Sequence, residues 1–304
     1  MRKNQLSLYR ILEIQDLFRS KGWDFEEQST NYRFEAFCSC LSLLNDEEQK
    51  FLIEISTDFQ SIGVKYFIKY IEEAYKQIPN SRLAGVNSVF IFPLTSYFRQ
   101  QKNGKIKTTA GKTKSAEFLF YMLINENISN VFCQENMYFS HSLNNIFKKM
   151  DFEKDLIVLI DDFSGTGETA ISTCEKLLSI YDPKKPEKKL LEPSNLVIIT
   201  IAALRGAIEN IKAQMNIDLY SSITGDKGIS DKYDDPKLMI NLMKKIEKKI
   251  GFRDDFLEKY SLGYKSSEAM FSFLRPPNNT FPVFWGRTHK FKNPIFPRIS
   301  KNVI

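Results

Sequence analysis

Residues 155–177 read DLIVLIDDFSGTGETAISTCEKL, the most informative passage of the chain. Leu156 to Ile160 is an unbroken apolar run, the pattern of a strand buried on both faces. Asp161 and Asp162 follow it, then a loop of small residues, and from Glu168 the apolar spacing is that of an amphipathic helix. The same texture extends outward. NSVFIF, SAEFLFYMLI, DLIVLI, ETAISTCEKLLSIY and NLVIITIAAL read in order as β, α, β, α, β. Leu196 to Thr200 is a second continuous apolar run. Strands of this kind predict a mostly parallel sheet flanked by helices, because both of their faces must be covered.

The acids and the loop have a chemical reading. In a parallel α/β sheet the ligand crevice lies outside the carboxyl ends of the strands, where Asp161 and Asp162 emerge. The loop FSGTGET brings backbone N–H groups to the start of a helix, whose unpaired donors and positive dipole end favour a phosphate. Thr166 and Thr169 add hydroxyls, and Gly165 and Gly167 permit close backbone approach. Acids beside a phosphate cradle suit a ligand with a sugar diol, a phosphate and a metal ion. A P-loop is excluded because Glu168 and Thr169 stand where Lys and Ser/Thr are required. The dinucleotide fingerprint fails because its third glycine is missing.

Residues 1–80 read as an α-helical region. Leu6, Tyr9, Ile11, Leu12, Ile14, Leu17 and Phe18 recur at helical spacing up to Gly22, and Asn45 and Asp46 mark a break and a helix cap. The division expected is therefore an N-terminal helical region, 1–80, and an α/β domain, 81–304. YDPKKPEKKLLEPSN reads as a polar loop, and GDKGISDKYDD as a solvated loop without EF-hand spacing. MKKIEKKIGF reads as an exposed basic helix, its apolar face being short for a membrane anchor.

Composition narrows the classes. Among 304 residues, 42% are apolar and 26% charged, which excludes wholesale disorder. No apolar stretch approaches the ~18 residues that span a bilayer, and charges interrupt the N-terminus, so a cytoplasmic protein is expected. Four cysteines, Cys38, Cys40, Cys133 and Cys174, form no disulfide or zinc pattern and are expected to be reduced. Two histidines leave little for histidine-based hydrolysis or a multi-histidine metal centre. The net charge of +6 is uneven: residues 1–80 carry 10 basic and 13 acidic side chains, net −3, which leaves the rest at +9. The last twenty residues hold five Lys or Arg and no acid, interleaved with Trp285, Phe291 and Phe296. That composition suits either a phosphate-rich partner or a basic tail packed on the domain.

The run VLIDDFSGTGET resembles the phosphoribosyl pyrophosphate signature of type I phosphoribosyltransferases: an apolar strand, two acids, three residues, then Thr-Gly-x-Thr. The resemblance implies a type I phosphoribosyltransferase-like core. Asp161 and Asp162 would face the ribose hydroxyls, with Mg²⁺ held mainly by substrate oxygens and water. Ser164, Gly165, Thr166, Gly167, Glu168 and Thr169 would hold the 5′-phosphate. Such sites stabilise an oxocarbenium-like centre at C1′ and require no side-chain nucleophile. The pyrophosphate loop would follow NSVFIF, with Thr95, Ser96, Tyr97 and Arg99 as candidates and Lys112 and Lys114 farther along. PLTSYFRQ departs from the compact Ser-Gly-x-Lys type, so this stretch is either a pyrophosphate loop or a surface loop. In the latter case the domain would bind a ribosyl phosphate without transferring it.

Residues 262–285, LGYKSSEAMFSFLRPPNNTFPVFW, are similar to the C-terminal segment of phosphoribosyltransferase-like proteins of bacterial conflict systems, including those encoded beside retron reverse transcriptases. This implies a toxic effector in antiphage defence acting on phosphoribosyl pyrophosphate (PRPP) or a ribonucleotide within a protein assembly. The segment would form a hood, with Arg275, Asn278 and Asn279 at a base edge and Phe271 or Phe273 as a stacking face. Two other roles fit the same residues: a catalytically silent nucleotide sensor, or a nucleic-acid-binding scaffold for a reverse transcriptase and its RNA–DNA hybrid.

Overall fold

The computed structural model describes residues 6–23, 32–95, 98–108, 115–125 and 136–298. The chain forms two compact units, Lys65–Gly225 and a second made of Met1–Val64 with Asp226–Ile304. Among the described residues no helix is long and apolar enough to cross a membrane.

The Lys65–Gly225 unit is an α/β layer structure. In chain order it contains α1 (Phe67–Tyr75), β1 (Val89–Pro93), α2 (Ser115–Asn125), β2 (Met137–Phe139), α3 (Leu143–Lys149), β3 (Leu156–Ser164), α4 (Glu168–Leu178), β4 (Leu196–Leu204), α5 (Arg205–Met215) and β5 (Asp218–Gly225). The five strands form one sheet in the order β5-β4-β3-β1-β2, with every neighbouring pair parallel. The sheet flanked by helices is the architecture expected from the sequence.

Burial explains the strand order. Leu156 to Ile160 of β3 are each at most 1% exposed, as a central strand covered on both faces must be. Phe90, Phe92, Ile157, Leu159, Leu196 and Ile198 pack with Ile146 of α3, Ile171, Cys174 and Leu177 of α4, and Ile211 of α5. Helix α1 packs on β4 and β5, and α2 on β1 and β3. Each fully buried aliphatic side chain contributes about 1.5–3 kcal/mol, so register slips in β3 and β4 are heavily disfavoured. The strand starts are also tied. Asp155 accepts from Ser88 N at 3.0 Å and Asp151 N at 2.8 Å, and Asn195 Nδ2 donates to Phe152 O at 2.8 Å. Fixed at that end, the strands deliver their carboxyl ends to one edge.

The structure differs from the sequence reading at several elements. Helix α1 lies within the expected 1–80 helical region, yet it buries Phe67, Ile71, Ala74 and Tyr75 and belongs to the sheet unit. Conversely, residues after 225 group with the N-terminal helices rather than with the sheet. Strands β2 and β5 had no sequence reading, because these edge strands lack a long apolar run. In the expected polar loop, Tyr181–Asp182 pairs antiparallel with Lys185–Lys189, since backbone pairing does not require apolar side chains.

The second unit contains helices Leu8–Lys21, Tyr32–Leu41, Asp46–Ser56, Pro236–Ile250 and Asp254–Tyr260, with Gln60–Ser61 paired parallel to Phe271–Ser272. Gly22 (φ 61°) closes the first helix and Asn45 caps the third, as the sequence suggested, and Asn45 and Glu48 form a reciprocal capping box there. Of the expected solvated loop, Ile229 is buried, and Glu268 accepts from Ile229 N and Ser230 N. The basic helix Pro236–Ile250 buries Met243, Ile246, Glu247 and Ile250. Trp285, Phe291 and Phe296 are also buried, and Phe59 stacks on Phe296 at 4.7 Å between centroids. These aromatics are core residues rather than stacking faces for nucleic acid, because each finds apolar neighbours within its own unit. Cys38, Cys40 and Cys174 are free thiols; burial pushes Cys38 up to about 11 and Cys174 up to about 12, and Cys133 lies outside the described residues.

Glu247 is fully buried and accepts from Ser261 Oγ at 2.6 Å and Leu262 N at 3.1 Å. Burial raises its carboxyl from 4.5 to about 7 despite those donors and Lys244. The folded state therefore holds this proton more tightly than the unfolded chain, and stability falls as pH rises between about 4.5 and 7. Glu247→Gln is expected to flatten that slope in thermal melts followed by circular dichroism. Equal slopes in both proteins would assign the pH dependence to other groups.

Candidate functional site

Strand β3 carries Asp161 and Asp162 close to its carboxyl end before passing through Phe163 and Ser164 into the loop. Asp161 is 8% exposed and Asp162 half-buried. Asp161 Oδ1 accepts from Ser115 Oγ at 3.2 Å and Asp162 N at 2.9 Å. Burial, joined by the neighbouring Asp162 carboxylate, holds the Asp161 carboxyl well above the ordinary range. Burial raises Asp162 too, opposed by hydrogen bonds from its surroundings. Two such carboxylates are best ionised when hydroxyl donors or a cation face them.

The register sets Thr200 of β4 beside Asp161. The Thr200 side chain is fully buried, and its hydroxyl has no hydrogen-bond partner among the described residues. It marks an unsatisfied polar position beside the acid-bearing strand.

Beyond Asp162 the chain turns into α4. Ser164 is buried, Gly165 and Thr166 are half-buried, and Gly167 caps the helix with φ 80° and ψ −8°. Glu168 N lies 3.5 Å from Thr166 Oγ1, and Thr169 is exposed on the first helical turn. Eleven residues of α4 stand behind this loop, and the dipole end and early N–H groups give the arrangement an affinity for anions. Gly167 has a second reason to be glycine. A Cβ there would meet Ile211 Cγ1 at 3.0 Å and Ala207 O at 3.2 Å, so α5 presses directly on the loop.

The pyrophosphate candidates separate. Leu94 N donates to Ile160 O at 2.8 Å, so buried Thr95 leaves the sheet next to the acid-bearing strand. Ser96 and Tyr97 lie outside the described residues, as do Lys112 and Lys114. Arg99 is exposed on the antiparallel pair Phe98–Gln100 and Ile106–Thr108. Its neighbour Gln100 exchanges hydrogen bonds with Tyr181, which follows the far end of α4.

The hood candidates belong to the other compact unit. Arg275 is exposed, and Asn278 and Asn279 are half-buried. Asn278 O accepts from Tyr264 N at 2.8 Å, and Asn279 Nδ2 donates to Ser267 Oγ at 3.1 Å. Phe271 and Phe273, read as stacking faces, are 2% and 8% exposed and lie ring against ring at 6.3 Å. Strand pairing of Phe271 with Gln60 holds it in the unit's interior.

Among the described residues no three or more His, Cys, Asp or Glu side chains gather as a metal site. The acid pair offers two carboxylates only, a donor set that fits a magnesium ion completed by ligand and water oxygens. Sequence reasoning missed Ser115, Thr200 and the α5 residues Ala207, Asn210 and Ile211. None has a local motif, because each reaches the site from another element.

These features, an acid pair near the end of a buried parallel strand and a glycine-containing turn at a helix start, fall within the reach of one family profile. No curated protein matches the chain. The profile of the PRTase-CE family matches residues 39–298, which include the acid pair, the turn and the 262–285 segment, and the chain belongs to this phosphoribosyltransferase-like family.

Proposed function

We propose that the chain is a magnesium-dependent phosphoribosyltransferase-like enzyme acting at C1′ of a phosphorylated ribose, in PRPP or a ribonucleotide. We further propose that it serves as a toxic effector in antiphage defence such as a retron system. The observation that carries the chemistry is the adjacent pair Asp161, buried, and Asp162, half-buried, two residues before the loop that opens α4. The defence role rests on the likeness of residues 262–285 alone.

In this reading, loop N–H groups and the Thr166 and Thr169 hydroxyls hold the 5′-phosphate. The ionised acid pair accepts hydrogen bonds from the vicinal ribose hydroxyls and orients the ring, and Ser115 Oγ keeps Asp161 in place. The pair's negative charge favours positive charge developing at the sugar. Magnesium, when bound, supplies charge neutralisation at the departing pyrophosphate.

Arg99, exposed on an antiparallel pair whose Gln100 is tied to Tyr181 beyond the far end of α4, favours a second reading: a catalytically silent nucleotide-sensing or nucleic-acid-binding subunit of a reverse transcriptase complex. One experiment separates the two. The full chain is titrated with PRPP and Mg²⁺ by calorimetry and then assayed for pyrophosphate release with a panel of bases, and for base release from ribonucleotides. Turnover supports the enzyme, binding without turnover supports the sensor, and no binding of PRPP or any ribonucleotide removes the enzyme and the nucleotide sensor alike.

A further inference from the structure

We infer that Asn210 of α5 sets the orientation of the Thr166–Gly167 peptide and thereby the phosphate affinity of the loop. This rests on the proposed binding of a ribosyl phosphate there. Asn210 Nδ2 donates to Thr166 O at 3.1 Å, drawing that carbonyl toward α5. The described chain contains no cis peptide, so the Gly167 N–H points opposite to the Thr166 carbonyl and away from α5. The loop therefore turns a donor, rather than a carbonyl oxygen, to the side where an anion can be received. A reversed peptide would set a carbonyl dipole against the phosphate.

The Asn210 amide is itself oriented. Gln214 Nε2, one helical turn on, donates to Asn210 Oδ1 at 2.5 Å, which leaves Nδ2 to face the loop. Gly167 adds the steric half of the arrangement. Its positive φ and its closeness to Ile211 and Ala207 leave no room for the loop to settle deeper against α5. Asn210 is thus a positioning residue, acting on the ligand through a backbone amide. It lies 44 residues from Thr166 in sequence, which is why no motif reveals it.

The test compares wild type, Asn210→Ala and Gln214→Ala in the full chain, using calorimetry with PRPP and with ribose 5-phosphate. Asn210→Ala is expected to weaken both ligands about tenfold, the weight of one hydrogen bond that orients a charged contact. Gln214→Ala, at an exposed position, should give a smaller loss in the same direction. In any turnover assay the loss should fall on KM rather than kcat, with the thermal midpoint of Gln214→Ala unchanged. Wild type that binds neither of these ligands nor any ribonucleotide would sink the proposed function itself, and with it this inference. Wild type that binds, with folded Asn210→Ala binding equally well, would overturn this inference and leave that function standing. Should Asn210→Ala not fold, unchanged affinity in Gln214→Ala overturns it equally.

Discussion

The Asp161→Asn, Asp162→Asn double variant is expected to bind PRPP with Mg²⁺ at least ~10²-fold more weakly than the parent while unfolding at a higher temperature. The two effects have one cause. Burial of adjacent carboxylates raises both above their ordinary range in the unliganded protein. The folded state then binds protons more tightly than the unfolded chain, so stability falls as pH climbs from the ordinary carboxylate range through the raised values. At neutral pH the pair destabilises the empty fold. Asparagine removes the charge but keeps an Oδ1 at residue 161 able to accept from Ser115 Oγ and from the backbone N–H of residue 162. The same change removes two charged acceptors, each worth about 1.5–3 kcal/mol to a hydroxyl donor. Calorimetry and thermal melts on the same preparations check both halves. Unchanged binding would remove the acid pair from the site, and a lower midpoint at neutral pH would overturn the destabilising role given to the pair.

Gly263→Ala is expected to destabilise the Met1–Val64 and Asp226–Ile304 unit by about 3 kcal/mol or more. Gly263 has φ 81° and ψ 165°, a region essentially confined to glycine. A Cβ there would stand 1.9 Å from Asn279 O and 2.6 Å from Asn279 C, both backbone atoms that cannot swing aside. The surroundings offer no slack. Leu262, Lys265, Ser266 and Glu268 also have positive φ, and buried Glu247 and Glu268 pin this segment through Leu262 N, Ile229 N and Ser230 N. Relieving the clash would part Tyr264 N from Asn278 O and move the Asn278–Asn279 turn. Urea unfolding of the variant measures the cost, and a change within ~0.5 kcal/mol would show the turn to be more adaptable than this packing implies.

The legible parts of the fold and the site share a physical trait: they are written in consecutive residues. Leu156 to Ile160 announces a doubly covered strand because each of its residues must be apolar, and the acids and glycines after it specify an end and a turn. Gly22 and Asn45 are equally local, as helix caps act within one turn. Edge strands β2 and β5 escaped because pairing on one side requires no continuous apolar run. Trp285, Phe291 and Phe296 were open to two readings because an aromatic residue serves a core and a stacking surface alike, and burial separates the two.

Order along the backbone was thus enough to establish the parallel α/β core, the emergence of Asp161 and Asp162 at a strand end, and an anion-favouring helix start. Three-dimensional packing supplied the rest. It brought Ser115 to Asp161, tied Gln100 to Tyr181, pressed Ile211 against Gly167 and joined Asn210 to the Thr166 carbonyl. A strand or cap depends on neighbours a few residues away. The direction of a single peptide N–H depends on whichever distant side chain occupies its other side, and only the folded chain specifies that side chain.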